Sequence, residues 1–208
     1  MSRTVLLAGV GLVLGLALAA AFALNRPYTF RGSVIDPAVP AADFTLTGAR
    51  GENFTLSSQA GSLVLIFFGY TTCPDVCPAT LGEMREIRRR LQADPRLARQ
   101  AESIRYVFIT VDPQRDTPER IGAYAASFDP AFIGLTGSEA ELEPVWKSYG
   151  VYRAVRETAS AAGYLVDHTA RVYLIDQAGS LRLTYPFGTP VDRSEEHTSE
   201  LQSHACIS

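Results

Sequence analysis

Two cysteines four positions apart, Cys73 and Cys77, are the residues of this chain best suited to do chemistry. Thiols at this spacing can form a disulfide, attack one, or hold a soft metal ion together. On a helical turn their β-carbons would lie roughly 5–6 Å apart, which permits either a disulfide or two sulfurs on one metal. A helix N-terminus at this point would lower both thiol pKa values and favour the thiolate. A purely structural disulfide or a pair of buried thiols is the alternative without chemistry.

His168 offers a third soft ligand. It stands immediately before an apolar run, residues 170–175, that predicts a strand. Two thiolates and one imidazole form a low-coordination set that suits Cu(I), and with an added oxygen ligand Cu(II). Structural zinc would require a fourth protein ligand, for which Asp75, Asp112 and Asp167 are the candidates. The residues alone therefore leave copper, zinc and redox chemistry open.

The last stretch of the chain, residues 193–208, differs abruptly in composition from what precedes it and has no apolar periodicity that could pack on a core. It resembles the in-frame translation of a short-read sequencing adapter, so we interpret it as a non-native tail. Without this tail the chain keeps two of its three cysteines and one of its three histidines, His168. Its formal charge moves from −3 to −1, because the tail holds one Arg and three Glu, and this balance gives no basic footprint for nucleic acid.

The beginning of the chain predicts a membrane segment. Residues 4–24 contain 21 uncharged, mostly apolar residues, which as a helix would span roughly 30 Å, the thickness of a bilayer core. We therefore predict an N-terminal transmembrane helix, with residues 1–24 as a membrane anchor. A cleaved signal peptide is the alternative, because residues 21–23 fit a small-x-small cleavage site. Either one exports the rest of the chain, and the proline-containing residues 25–40 predict a linker.

The remaining residues, 41–192, have the size of one ordinary domain. Its predicted strands cover residues 63–68, 106–111, 132–135, 170–175 and 181–185, and its predicted helices cover residues 79–92, a segment starting at Pro118, and a segment from the capping box at Ser138 to about residue 149. This alternation, closed by a hairpin turn at residues 176–179, predicts an α/β sandwich with a central mixed sheet. The thiol pair follows the first long strand at a helix start, as in thioredoxin-like domains, which is an analogy of fold.

Residues near the two thiols have less specific roles. We predict that Asp116 and Thr117 cap the helix that Pro118 starts. Asp112 follows a core strand at its carboxyl end, where α/β sheets build their sites, and a supporting or partner-binding role is open to it. We predict that Tyr70 only packs.

Three segments resemble the signatures of the Sco/SenC copper chaperones: residues 68–78 (FGYTTCPDVCP), residues 111–118 (VDPQRDTP) and the pair Asp167-His168. The resemblance covers about residues 40–185, and the family domain usually continues into a final helix where this chain has its tail. It implies a membrane-anchored, thioredoxin-like domain on the extracytoplasmic side of a bacterial cell membrane. It also implies a copper site, Cu(I) or Cu(II), formed by Cys73, Cys77 and His168.

The same resemblance implies a metallochaperone rather than an enzyme. Its role would be to assist assembly of the binuclear copper centre of cytochrome c oxidase subunit II, alongside other copper chaperones or thiol–disulfide reductants. One alternative is a thiol–disulfide reductase whose redox pair, Cys73 and Cys77, keeps the oxidase's copper-ligand cysteines reduced without needing His168. A peroxidase relative of the same fold would require a reactive thiolate.

Overall fold

The computed structural model describes residues 33–158 and 163–189, together with Leu12 and Gly15. The chain divides into two units, Met1–Phe30 and Arg31–Ser208, and the fold described below belongs to the second.

Two of the predicted segments lie outside the described residues. These are the transmembrane helix over residues 4–24, apart from the two isolated positions, and the tail over residues 193–208. In the part of the chain that the structure describes, no helix is both long enough and apolar enough to cross a membrane.

Within residues 33–158 and 163–189 the chain forms ten strands and four α-helices. The strands are β1 (Ser33–Pro40), β2 (Thr45–Thr47), β3 (Asn53–Thr55), β4 (Val64–Gly69), β5 (Arg105–Thr110), β6 (Phe132–Leu135), β7 (Arg153–Glu157), β8 (Tyr164–His168), β9 (Arg171–Ile175) and β10 (Ser180–Pro186). The helices are α1 (Val76–Ala93), α2 (Ala98–Ala101), α3 (Pro118–Phe128) and α4 (Glu139–Ser148).

A six-stranded mixed sheet forms the centre of the domain, in the order β1-β10-β9-β4-β5-β6. Strands β4, β5 and β6 are parallel, whereas β9, β10 and β1 each pair antiparallel with their neighbours. This arrangement confirms the predicted mixed sheet. The pairs β2–β3 and β7–β8 form two separate two-stranded sheets.

Strand β4 is buried along its whole length, because both faces of the sheet are covered. Its side chains alternate between the faces. The ring of Phe67 stacks on Phe108 at 5.9 Å between centroids, and Phe108 in turn meets Tyr124 of α3 at 5.7 Å. Phe68 meets Tyr149, just after α4, at 5.6 Å. The core therefore lies on both sides of the sheet.

The topology brings three chain segments to one edge of the sheet. Gly69 and Thr110, the last residues of β4 and β5, are register partners in parallel strands, so both strands exit at this edge. Strand β9 runs antiparallel to β4 and pairs Val172 with Phe67, so it enters at the same edge. Three segments therefore converge there: the loop that holds the cysteines, the loop after β5 and the segment that precedes β9.

The structure corrects the predicted linker over residues 25–40. Residues Ser33–Pro40 form β1, which pairs antiparallel with β10, so the sheet begins eight residues before the predicted domain boundary. The prolines of this segment indicated a linker rather than a strand. They are tolerated because β1 is an edge strand and its register shifts between Val34 and Val39, so not every N–H is needed for pairing.

Helix α1 begins at Val76, earlier than the predicted residue 79, which places Cys77 on its first turn. The predicted caps Thr117 and Ser138 of the later helices are confirmed. Thr117 caps α3 with Pro118 in its first turn, and Ser138 forms a capping box with Glu141 at the start of α4. The hairpin of β7 and β8 was not predicted.

Candidate metal centre

The two cysteines lie where β4 turns into α1. Cys73 is half-buried in the connecting loop and Cys77 is fully buried on the first helical turn. Both are free thiols. The backbone N–H of Cys77 donates to Cys73 Sγ at 3.5 Å, so an otherwise unpaired amide of the helix N-terminus points at this sulfur. The local turn therefore presents both sulfurs to the same space.

His168 is the last residue of β8, and its Nε2 lies 3.9 Å from Cys77 Sγ. On the other side of the ring, Nδ1 lies 3.1 Å from the carbonyl oxygen of Thr169. A carbonyl can only accept, so Nδ1 carries a proton, and in the neutral ring Nε2 turns its lone pair towards the sulfur. This tautomer is the one that a metal-binding histidine uses.

The ligand atoms of Cys73, Cys77 and His168 all lie within 4.8 Å of one another. A trigonal ion with bonds of about 2.0–2.3 Å would separate its ligand atoms by roughly 3.7–4.0 Å. The structure thus brings together the three residues that the sequence singled out, at separations that one ion can bridge with small movements. Within residues 33–158 and 163–189, no carboxylate joins this group. Two sulfurs and one imidazole fit copper better than four-coordinate zinc.

None of the three aspartates considered as a fourth ligand belongs to this group. Asp75 occupies the N-cap position of α1. Asp167 pairs with Arg156 at 3.4 Å on the exposed side of the hairpin. Asp112 is fully buried and forms an ion pair with Arg115.

The two thiols differ sharply in acidity. The hydrogen bond from Cys77 lowers the pKa of Cys73 to about 4, although burial opposes this; the contact with His168 and the amides of Asp75 and Cys77 add to the effect. The same bond to Cys73, burial and the charge on Cys73 raise the pKa of Cys77 well above its ordinary value. The pair therefore shares one proton at neutral pH. The prediction that both pKa values fall is wrong for Cys77, because two adjacent thiolates repel.

Asp116 does not cap a helix as predicted. Its carboxylate accepts hydrogen bonds from the Thr71 N–H at 3.2 Å, the Thr71 hydroxyl at 2.6 Å and the Thr110 hydroxyl at 2.7 Å. The side chain is buried, and burial raises its pKa above the usual range. Asp116 therefore fastens the loop that holds the cysteines to the end of β5, and the capping is done by Thr117 alone.

Tyr70 does more than pack. The edge of its ring meets the ring of His168, with centroids 5.9 Å apart, and its hydroxyl accepts from the N–H of Val166 at 3.3 Å. Next to it, Gly69 leaves room for the thiol: a β-carbon at that position would lie 2.7 Å from Cys77 Sγ. A cleft of about 260 Å³ opens beside Cys73 and His168, so a partner can reach the sulfur and the imidazole from solvent.

For two residues near the site, Arg115 and Tyr164, the sequence predicted no functional role. A signal for the second was present, since Tyr164, Val166 and His168 alternate at strand spacing and share one face of β8. No comparable local signal exists for Arg115, whose contacts with Tyr164 span 49 positions of the chain.

Comparison with known proteins identifies the family. The SCO1/SenC family model matches residues 34–203. The chain belongs to the SCO1/SenC family. The matched range extends into residues 193–203, so the interpretation of the tail as non-native stays a prediction. The mitochondrial SCO2 homologue of Bos taurus is 35% identical over 181 residues, covering 86% of this chain and 66% of the relative, just under two thirds of its length.

Solved structures of Sco proteins have the same fold. Arabidopsis thaliana ScoI with copper bound gives a TM-score of 0.72 at 29% identity, over 80% of this chain and 99% of that one. Bradyrhizobium japonicum ScoI with copper bound gives a TM-score of 0.68 at 38% identity, over 79% of this chain and 99% of that one. BsSco gives a TM-score of 0.60 at 26% identity, over 83% of this chain and 96% of that one. BsSco is a member of the Sco family of cytochrome c oxidase assembly proteins, and a disulfide switch was identified in it. The predicted family and thioredoxin-like fold are confirmed.

Proposed function

We propose that this protein is a copper metallochaperone that holds one ion through Cys73, Cys77 and His168 and passes it to the binuclear centre of cytochrome c oxidase subunit II. The observation that carries the proposal is the convergence of two free thiols and the imidazole of His168, whose ligand atoms all lie within 4.8 Å of one another. The copper-bound ScoI relatives and the oxidase-assembly role of the family of BsSco support it.

The acidity of the thiols fits the binding and release of such cargo. Cys73 is a thiolate at neutral pH and is the more accessible sulfur, so it is the first ligand to meet an incoming ion. Cys77 gives up its proton as the ion's charge replaces it, and His168 completes the set through Nε2. Loading at neutral pH would therefore release about one proton per ion. Exchange with a partner would proceed through the cleft beside Cys73 and His168.

Titration of the reduced protein with Cu(I) under a competing chelator tests the proposal. Cys206→Ser is included in every variant, because this third cysteine would otherwise add a thiol. We expect one tightly bound equivalent, and a clearly weaker one in His168→Ala. Failure to bind one equivalent tightly, or equal affinity in His168→Ala, would overturn the proposal.

Thiol–disulfide reduction of the oxidase's copper-ligand cysteines is the second candidate, favoured by the thiolate of Cys73 beside the protonated Cys77. It does not require His168. Oxidase assembly in cells that express His168→Ala, compared with cells that express Cys73→Ser, separates the two. Loss of assembly in both, with a dithiol that still cycles in His168→Ala, supports copper delivery. Loss only in Cys73→Ser supports reduction.

We also propose that the domain works on the extracytoplasmic side of a bacterial membrane, held there by residues 4–24. The uncharged composition of that segment supports this assignment. Membrane fractionation and N-terminal sequencing of the mature protein test it. Recovery of the intact, unprocessed N-terminus in the membrane fraction is expected, and a new N-terminus after Ala23 would indicate a signal peptide instead.

A further inference from the structure

His168 is carried by a hairpin that stands apart from the central sheet. Strands β7 and β8 pair only with each other, whereas the cysteines follow β4 in the middle of the six-stranded sheet. The ladder between β4 and β9 brings the segment before β9 to the thiols, but within the described residues β8 itself forms no ladder with the six-stranded sheet. The 3.9 Å between Cys77 Sγ and His168 Nε2 therefore depends in addition on the contacts that fasten the hairpin to the rest of the domain.

The opposite end of β8 is fastened by Tyr164. Its hydroxyl donates to Oδ1 of Asp112 at 2.8 Å, and its carbonyl oxygen accepts from Nη1 of Arg115 at 3.0 Å. The guanidinium of Arg115 lies 3.6 Å from the centroid of the Tyr164 ring, a cation–π contact. Arg115 also forms an ion pair with the fully buried Asp112. One residue of β8 is therefore held through its hydroxyl, its ring and its backbone.

These contacts continue along the strand to the imidazole. Tyr164, Val166 and His168 share one face of β8. Between the two ends, the N–H of Val166 donates to the hydroxyl of Tyr70 at 3.3 Å. The Tyr70 ring lies 5.7 Å from the Arg115 guanidinium on one side and meets His168 at 5.9 Å on the other. A chain of direct contacts thus runs from the loop after β5 to the candidate ligand.

We infer that Asp112, Arg115 and Tyr164 form a clamp that holds β8 in the place where His168 reaches the two thiols. They are positioning residues for copper binding and do not touch the ion themselves. The inference rests on the proposed function, since it assigns these residues a part in the same site. If the clamp is loosened, His168 should contribute less to copper binding, whereas the two sulfurs should stay in place.

Tyr164→Phe is the sharpest test, because it removes the hydroxyl that bonds to Asp112 and keeps the ring under Arg115. Tyr152→Phe is the matched control, a tyrosine next to the same hairpin with 66% of its surface exposed. Loss of one hydrogen bond to a carboxylate predicts roughly tenfold weaker Cu(I) binding or more. The control should bind like the wild type. In a His168→Ala background, Tyr164→Phe should cause no further weakening, because the clamp acts through that histidine.

Hydrogen exchange of the metal-free protein gives a readout that does not depend on copper. Tyr164→Phe should speed exchange at the amides of Val166 and Thr169, which donate to Tyr70 and Tyr152, and should leave those of β4 unchanged. Equal exchange and equal affinity in Tyr164→Phe and the wild type would overturn the clamp. The same fold loss of affinity with and without His168 would also overturn it, since that marks a general loss of stability. A wild type that binds no copper defeats the proposed function, and the exchange rates still decide the clamp.

Discussion

Gly69 is the residue at which a single added methyl group should test the whole arrangement. It ends β4, and a β-carbon there would lie 2.7 Å from Cys77 Sγ and 2.7 Å from a ring carbon of Phe108. Ordinary contacts between such atoms are about 3.5–4.0 Å, so each neighbour would have to move by about 1 Å. Both neighbours are buried, which leaves little space for that movement.

We expect Gly69→Ala to lower the free energy of unfolding by about 1–3 kcal/mol, the usual cost of overpacking a core. The displaced sulfur has a second effect. Metal sites tolerate ligand displacements of about 0.2 Å, so a shift of Cys77 Sγ by about 1 Å should weaken Cu(I) binding by about 10–100-fold. The sulfur of Cys73, which the methyl group does not face, should stay reactive towards thiol reagents.

Urea unfolding and chelator-competed Cu(I) titration measure the two effects. Gly82→Ala is the control, because Gly82 lies inside α1 with open space where its β-carbon would go. That substitution should stabilise the protein by about 0.5–1 kcal/mol and leave copper affinity unchanged. If Gly69→Ala matched the wild type in both measurements, the close approach of Cys77 to β4 would be refuted.

Three further outcomes follow from the thiol pair and its surroundings. Only a thiolate is alkylated, so the alkylation rate of Cys73 in the metal-free protein should be constant above about pH 5 and should fall as the pH drops through about 4. Mass spectrometry measures this rate, and a rate that still rises between about pH 7 and 9 would contradict the prediction. Cys77→Ala removes the S–H donor, worth about 1.5–3 kcal/mol, and should move that midpoint up by about 1–2 pH units, whereas an unchanged midpoint would count against the shared proton. Asp116→Ala leaves the hydroxyls of Thr71 and Thr110 without their acceptor and should cost about 2–3 kcal/mol in urea unfolding, against no loss in the exposed Glu143→Ala.

Much of the fold could be predicted because it depends on residues close together in the sequence. Strand β6 was predicted at its observed bounds, and the capping box at Ser138 marked the start of α4. The three candidate ligands could be singled out because thiols and imidazoles are rare in this chain. The mixed sheet then followed from the order of its elements.

What could not be predicted depends on contacts between distant segments. The bond from Tyr164 to Asp112 spans 52 positions, and neither residue signals the other locally. The same holds for β1, whose edge pairing with β10 overrides its prolines. The opposite pKa shifts of Cys73 and Cys77 arise from the distance between two sulfurs, which the spacing of four residues alone does not fix.

The separation of the ligands between two sheets has a consequence for the chain as a polymer. Cys77 and His168 are 91 positions apart, so an ion shared by them would act as a removable crosslink that closes most of the domain into one loop. Cargo at about 1,000 times its dissociation constant would add about 4 kcal/mol to the stability of the folded state. A loaded carrier would then be the more rigid and protease-resistant form, and delivery of the ion would return the hairpin to its greater freedom.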